Sequence, residues 1–219
     1  MSAAGANDVQ GGQSGMTTRG RFVTFEGIDG AGKSTQISFI EAWLRSRGVH
    51  ALLTREPGGT PVGEALRELI LHRPMQARTE TLLMFAARCE HVLEVIEPAL
   101  AAGRWVLCDR FTDATYAYQS GGRGLPEADV ATLERWVHPD LQPDLTILFD
   151  LEPEIAAARL ARAKRSDRFE AEQRDFFNCV REHYLARARA RPDRFVIIDT
   201  AQDKTVVQRY LTAVLGRWL

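Results

Sequence analysis

The stretch from Phe22 to Thr35 limits the possible folds more than any other part of this chain. Phe22-Val23-Thr24-Phe25-Glu26 is a short apolar run of β-prone residues. Gly27, four intervening residues, Gly32, Lys33 and Ser34 follow, and a helical pattern starts there. A strand, a glycine-rich turn and a helix in that order build a phosphate cradle. The glycines let the backbone turn tightly and aim successive N–H groups inward, where the positive end of the helix reinforces them. Gly27, Ile28, Asp29, Gly30, Ala31, Gly32, Lys33, Ser34 and Thr35 are therefore the candidate contacts for a nucleoside triphosphate. Lys33 carries a point charge for the outer phosphates, and the Ser34 hydroxyl can ligate Mg²⁺. The motif alone does not say what the triphosphate is used for.

Composition narrows the class. At 219 residues the chain reads as one domain with room for a substantial core. A net charge of −1 gives no general pull toward nucleic acid or membrane, so any anion site must be a local cluster. No stretch approaches the ~18 apolar residues of a membrane span. Cys89, Cys108 and Cys179 show no metal spacing and read as free, mostly buried thiols of a reducing cytoplasm. Residues 1–18 are small and polar, without a signal-peptide core, and read as a disordered leader; residues 19–219 form the folded unit.

Along the chain, strands are expected at 21–26, 49–54, 105–108, 145–149 and 195–198. Helices are expected at 33–47, 61–71, 79–100, 126–138, 153–163, 170–191 and 205–219, with Ser120 to Gly124 as a polar loop. Near-continuous apolar strands alternating with helices predict an α/β fold, a five-stranded parallel sheet with helices on both faces. In such sheets ligands bind beyond the carboxyl ends of the strands. Gly27, Arg55, Asp109, Arg110 and Asp199 all fall there.

Several constellations have two readings. Asp109 can hold Mg²⁺, directly or through water, or can simply cap its strand. Arg55 and Arg110 offer planar forks suited to a second phosphate group, and Arg55 can equally pair with a nearby acid. Phe85 and Arg88 share a helix face, either to stack on and bond a base or as one core and one solvated residue. Leu82, Leu83, Ala86, Leu93 and Ile96 read as the core stripe of that helix. The basic run from Arg159 to Arg168 is either a solvated face or a mobile lid, spanning about 159–170, that closes over phosphates. The five histidines show no metal spacing.

Taken together, Glu26 to Ser34, Thr54-Arg55-Glu56-Pro57-Gly58-Gly59-Thr60, Met84-Phe85-Ala86-Ala87-Arg88, Asp109-Arg110-Phe111, Thr115-Tyr116-Ala117-Tyr118-Gln119 and Asp167-Arg168-Phe169-Glu170 resemble the bacterial thymidylate kinase family. The resemblance runs from Arg21 to the C-terminus. It implies a three-layer P-loop kinase domain that transfers a phosphoryl group from ATP, with Mg²⁺, to dTMP. It also implies a cytoplasmic homodimer joined through its long helices. By resemblance, Phe85 stacks on thymine, Arg88 bonds its edge, and Thr115 and Gln119 help read the base. Arg55 and Arg110 hold the acceptor phosphate, Asp29 orients the acceptor sugar, and Lys33 and Ser34 serve ATP and its metal. The loop after Asp199 flanks adenine. One variant of the family carries an arginine in the phosphate loop where this chain has Gly30, so the chain resembles the variant whose catalytic arginine comes from the lid. Relatives carry Arg-Gly where this chain has Ala163-Lys164; Arg162 or Arg165 takes that part here.

Two rivals frame the reading. A deoxynucleoside kinase phosphorylates a bare hydroxyl and has no use for the Arg55 and Arg110 pair. A GTP-binding switch reads guanine through Asn-Lys-x-Asp, which the sequence lacks.

Overall fold

The computed structural model describes residues 19–163 and 170–219, with side chains over 19–161 and 174–219. Five parallel strands, β1 (Phe22–Glu26), β2 (Ala51–Arg55), β3 (Trp105–Asp109), β4 (Leu145–Asp150) and β5 (Phe195–Asp199), lie in the order β2-β3-β1-β4-β5. β1 is central and buried along all five residues, as an apolar run covered on both faces must be. Helices α1 (Lys33–Arg45), α8 (Glu170–Ala190) and α9 (Lys204–Leu215) pack Ile40, Leu44, Val180, Tyr184 and Leu211 with β1 and β4 residues such as Phe25 and Ile147 in one core. A second core joins Phe22, Val106 and Cys108 to Ile96, Leu100 and Phe111.

Local chemistry sets the helix starts. α1 begins after Gly32, whose φ of 88° turns the phosphate loop into the helix. In α2 (Pro61–His72) the Thr60 hydroxyl accepts from Gly63 N at 2.9 Å, and proline occupies the first turn, where its missing N–H costs nothing. α3 (Ala77–His91) runs into a π turn, Val92–Ile96, and then α4 (Glu97–Ala101), with Pro98 again in a first turn. The pattern across these three elements predicts one helix, and the helical backbone is continuous through both junctions, with a π turn in its middle.

Three expectations are corrected. Leu82 and Leu93 are more than half exposed, so the outer stripe of α3 and the π turn is not core. The inner stripe is Phe85, Arg88, His91, Val92 and Ile96. Ser120 to Gly122 is not loop. α5 (Thr112–Thr115) passes into a second π segment, Tyr116–Gly122, ahead of α6 (Glu127–Val137), β4 and α7 (Pro153–Ala163). All three cysteines are free, but only Cys108 is buried.

Register brings the charged strand ends to one rim. Arg55 lies opposite Asp109, Asp109 opposite Phe25, and Asp150 opposite Asp199.

Candidate active site

The phosphate loop closes on itself through its lysine. Lys33 Nζ donates to the Gly27 carbonyl at 3.0 Å and to that of Ile28 at 3.2 Å. Burial, aided by the Arg110 charge, lowers Lys33 from 10.5 to about 8 against the pull of Asp109, Asp29 and Glu26. Gly30, at φ 84°, lies against α7: a Cβ there would stand 2.6 Å from the Ala156 carbonyl oxygen. Only glycine accepts both the backbone angle and that contact.

The loop forms one end of a cavity of about 920 Å³. Asp29, Gly30, Gly32, Lys33, Ser34 and Thr35 line that end. Arg55, Arg110 and Arg67 of α2 line the middle, and Met84, Arg88, Thr115 and Gln119 the far end. Arg159 of α7 borders the cavity and donates to the Thr200 carbonyl at 2.8 Å, linking it to the loop after β5.

Arg110 is the hub of the middle section. It is the one non-glycine residue with positive φ among those described, at 70°. This backbone, uncommon for a side chain, turns the guanidinium back over the sheet end. Its Nη2 donates to Asp29 at 2.8 Å and to the Tyr118 hydroxyl at 2.9 Å, and its Nη1 to the Tyr184 hydroxyl at 3.2 Å. Tyr184 in turn donates to Glu26 Oε2 at 2.7 Å, and the other Glu26 oxygen accepts from Phe111 N at 2.8 Å. Burial pushes Glu26 up to about 8, with the Asp113 charge adding to it. Arg110 holds Asp29 below the ordinary carboxylate range although burial acts the other way. Arg55 pairs with Glu64 of α2 at 2.9 Å, an exposed contact that a phosphate can displace at little cost.

The far end is built on buried charge. Arg88 Nε donates to Glu56 Oε2 at 2.7 Å and Nη2 to Thr115 Oγ1 at 3.0 Å. Its Nη1 is buried with no partner among the described residues. Glu56 also holds His91 at 3.0 Å, and His91 meets Thr54 Oγ1 at 2.6 Å. Phe85 does share a face with Arg88, whose guanidinium lies 4.6 Å from its ring centroid. Phe85 is buried among Tyr116, Leu125 and Val130, however, and does not line the cavity. Met84, four residues before Arg88, does. The spacing identified a helix turn that reaches the cavity, and Met84 rather than Phe85 is the apolar side chain of that turn that lines it.

Asp109 Oδ1 is also buried without a partner among the described residues, and Asp109 lines the cavity as Ser34 does. A spare carboxylate oxygen beside a phosphate loop fits Mg²⁺, which keeps much of its water and takes few protein ligands. The lid segment 164–169, with Arg165, and the Arg162 side chain fall outside the described residues. Sequence reasoning did not single out Glu26, Glu56, His91, Tyr118 or Tyr184. A carboxylate ending a buried strand, as Glu26 does, was the available signal.

The thymidylate kinase family profile matches residues 25–211. The chain is 61% identical over 196 residues to the thymidylate kinase of Bordetella pertussis, covering 90% of this chain and 94% of that one. It is 58% identical over 197 residues to that of Methylobacillus flagellatus, covering 90% and 97%. The chain belongs to the thymidylate kinase family. Among solved structures, the thymidylate kinase of Ehrlichia chaffeensis superposes with a TM-score of 0.75 at 30% identity, over 90% of this chain and 99% of that one. In this member of the thymidylate kinase family, the Gly30 contact with α7 leaves no room for a side chain at that point of the phosphate loop.

Proposed function

We propose that the cavity carries out phosphoryl transfer from ATP to dTMP, giving dTDP and ADP. The observation that carries this reading is one continuous cleft with a phosphate loop at one end and Arg55, Arg110 and the Arg88–Thr115–Gln119 wall at the other. Two anions must be brought together, so charge neutralisation and alignment are the main tasks. Lys33 leaves its two loop carbonyls to meet the donor phosphates. Arg110, and Arg55 once released from Glu64, take the acceptor phosphate as planar forks. Asp29 orients the acceptor sugar beside Arg110. Arg88 Nη1, Thr115 and Gln119 meet the base edge, and Met84, in place of Phe85, lies against its ring. When bound, Mg²⁺ would be held by Ser34 and, directly or through water, by Asp109, and it neutralises charge on the donor phosphates. A lid over about 159–170 supplies the remaining arginine, Arg162 or Arg165.

An acceptor panel with ATP and Mg²⁺ tests the reading. Turnover is expected to be highest with dTMP, lower with dUMP, and negligible with AMP and thymidine. Thymidine used as well as dTMP would make the protein a nucleoside kinase. Lys33→Ala is expected to fold and to lose orders of magnitude in turnover.

We also infer a cytoplasmic homodimer. Free cysteines support a reducing compartment. No helix among the described residues is long and apolar enough to cross a membrane. Leu82 and Leu93, exposed about three turns apart on α3 and its π turn, support pairing through that face. Sedimentation should return twice the chain mass, and Leu93→Glu should shift it toward the monomer.

A further inference from the structure

Gln119 sits on the π segment at the base end of the cavity and is 3% exposed. Its Nε2 donates to Glu80 Oε1 at 2.8 Å. Glu80 comes from the first turn of α3 and is itself buried, and its other oxygen is paired with Arg123 Nη2 at 3.1 Å. An ionised carboxylate can only accept, so the amide nitrogen of Gln119 has to face it. The carbonyl oxygen of the same amide is then turned to the opposite side. Arg88 is fixed in a similar way. Glu56 and Thr115 take two of its nitrogens, and Nη1 is left as a buried donor without a partner among the described residues. Arg88, Thr115 and Gln119 all line the cavity.

The wall therefore offers one donor, Arg88 Nη1, and one acceptor, Gln119 Oε1. A pyrimidine with a carbonyl at C4 and a proton on N3 presents the complementary pair. Cytosine presents the reverse, an amino group and a bare ring nitrogen. We infer that Glu80 is a specificity-determining positioning residue: by fixing the polarity of the Gln119 amide, it commits the wall to thymine- or uracil-type edges and against cytosine. This rests on the reading that a pyrimidine monophosphate occupies the cavity. A free glutamine would rotate its amide to suit either base, so a rigid partner is needed to make the choice.

The test compares kcat/KM for dTMP and dCMP in the wild type, in Glu80→Gln and in the double variant Glu80→Gln with Gln119→Glu. In Glu80→Gln, the amide that replaces the carboxylate can donate or accept, so it no longer dictates which end of the Gln119 amide it meets. The dTMP preference is expected to fall at least about tenfold, through weaker use of dTMP since Arg88 Nη1 still faces the cytosine amino group, while KM for ATP stays unchanged. In the double variant the amide introduced at position 80 donates to one oxygen of the carboxylate introduced at position 119. The other oxygen of that carboxylate accepts from N3–H, and the preference returns. A purely structural Glu80 would lower both acceptors alike and leave their ratio at the wild-type value; that result, or a double variant that does not regain the preference, overturns the inference. Should Glu80→Gln not fold, Glu80→Asp decides: it keeps a carboxylate for Arg123 but withdraws it from Gln119, so the dTMP preference is expected to fall, and a wild-type ratio overturns the inference. A wild type that neither binds nor turns over dTMP would instead defeat the reading of the cavity and is seen before any variant is made.

Discussion

Arg88 and Glu56 form a salt bridge at 2.7 Å with side chains only 2% and 4% exposed. Burial alone would raise the Glu56 carboxyl, but the Arg88 charge and the His91 hydrogen bond outweigh it and hold Glu56 below its ordinary range. Arg88 is thus a guanidinium donor held inside the protein by a dedicated counter-ion. Glu56→Ala strands that charge and is expected to cost about 3–5 kcal/mol of stability. Surviving enzyme should show a raised KM for dTMP and a normal KM for ATP. Urea unfolding and steady-state kinetics check the two halves separately; full stability in Glu56→Ala would remove the counter-ion role.

Met84 and Phe85 are adjacent in sequence and have opposite environments, so their alanine variants should diverge. Phe85→Ala empties a site packed by Tyr116, Leu125 and Val130 and should lose about 3–5 kcal/mol of stability. Met84→Ala should leave stability nearly unchanged and weaken dTMP binding by about 0.3–1.5 kcal/mol, the range of thioether–ring contacts. Thermal melts and dTMP titrations would reveal the assignment as inverted if Phe85→Ala altered only acceptor binding.

Arg110→Lys keeps the charge and removes the fork. A lysine cannot reach Asp29, Tyr118 and Tyr184 together with a phosphate. The expected loss in kcat is about 10²-fold, comparable to losing one preorganised donor to a developing anion. A lysine variant with wild-type turnover would show that charge alone suffices.

Stability should pass through a minimum near pH 8. Burial holds Glu26 at about 8 where its ordinary value is 4.5. Between those values the folded chain binds more protons than the unfolded chain, so stability declines as pH rises. Lys33 runs the other way. Its pKa drops from 10.5 to about 8, the folded chain then binds fewer protons than the unfolded one, and stability recovers as pH rises further. Denaturant titrations across the range from about pH 5 to 10 check the shape. Glu26→Gln should flatten the acid branch and Lys33→Met the alkaline one. A steady fall across the range would contradict the burial of Lys33, and a steady rise that of Glu26.

Phe22 to Glu26 and Leu145 to Phe149 were legible as buried strands because few other arrangements hide unbroken apolar runs. The same logic located Arg55, Asp109 and Arg110 at the rim. The helical stretch from Thr112 to Gly122 was not legible, since Gly121 and Gly122 look like loop formers. In the fold they are packing residues: a Cβ on Gly121 would lie 2.5 Å from the His183 ring, and one on Gly122 2.3 Å from that of Phe176. Glycine chosen for close approach and glycine chosen for a turn read identically in sequence. Leu82 misled for a related reason, because an apolar stripe facing outward has the periodicity of one facing inward. The burial of Phe85 away from the cavity was not legible, because spacing fixes which residues share a face and leaves open whether that face meets a cavity or the core.

The seat of Gly30 under α7 reaches beyond one residue. A guanidinium introduced at position 30 would meet the helix backbone at Ala156 before it met a nucleotide. No single substitution at position 30 therefore places a longer side chain in the loop without moving α7. Loop and helix are fitted to one another at this point, so any change in the seat of α7 would be felt directly by the backbone that cradles the phosphates.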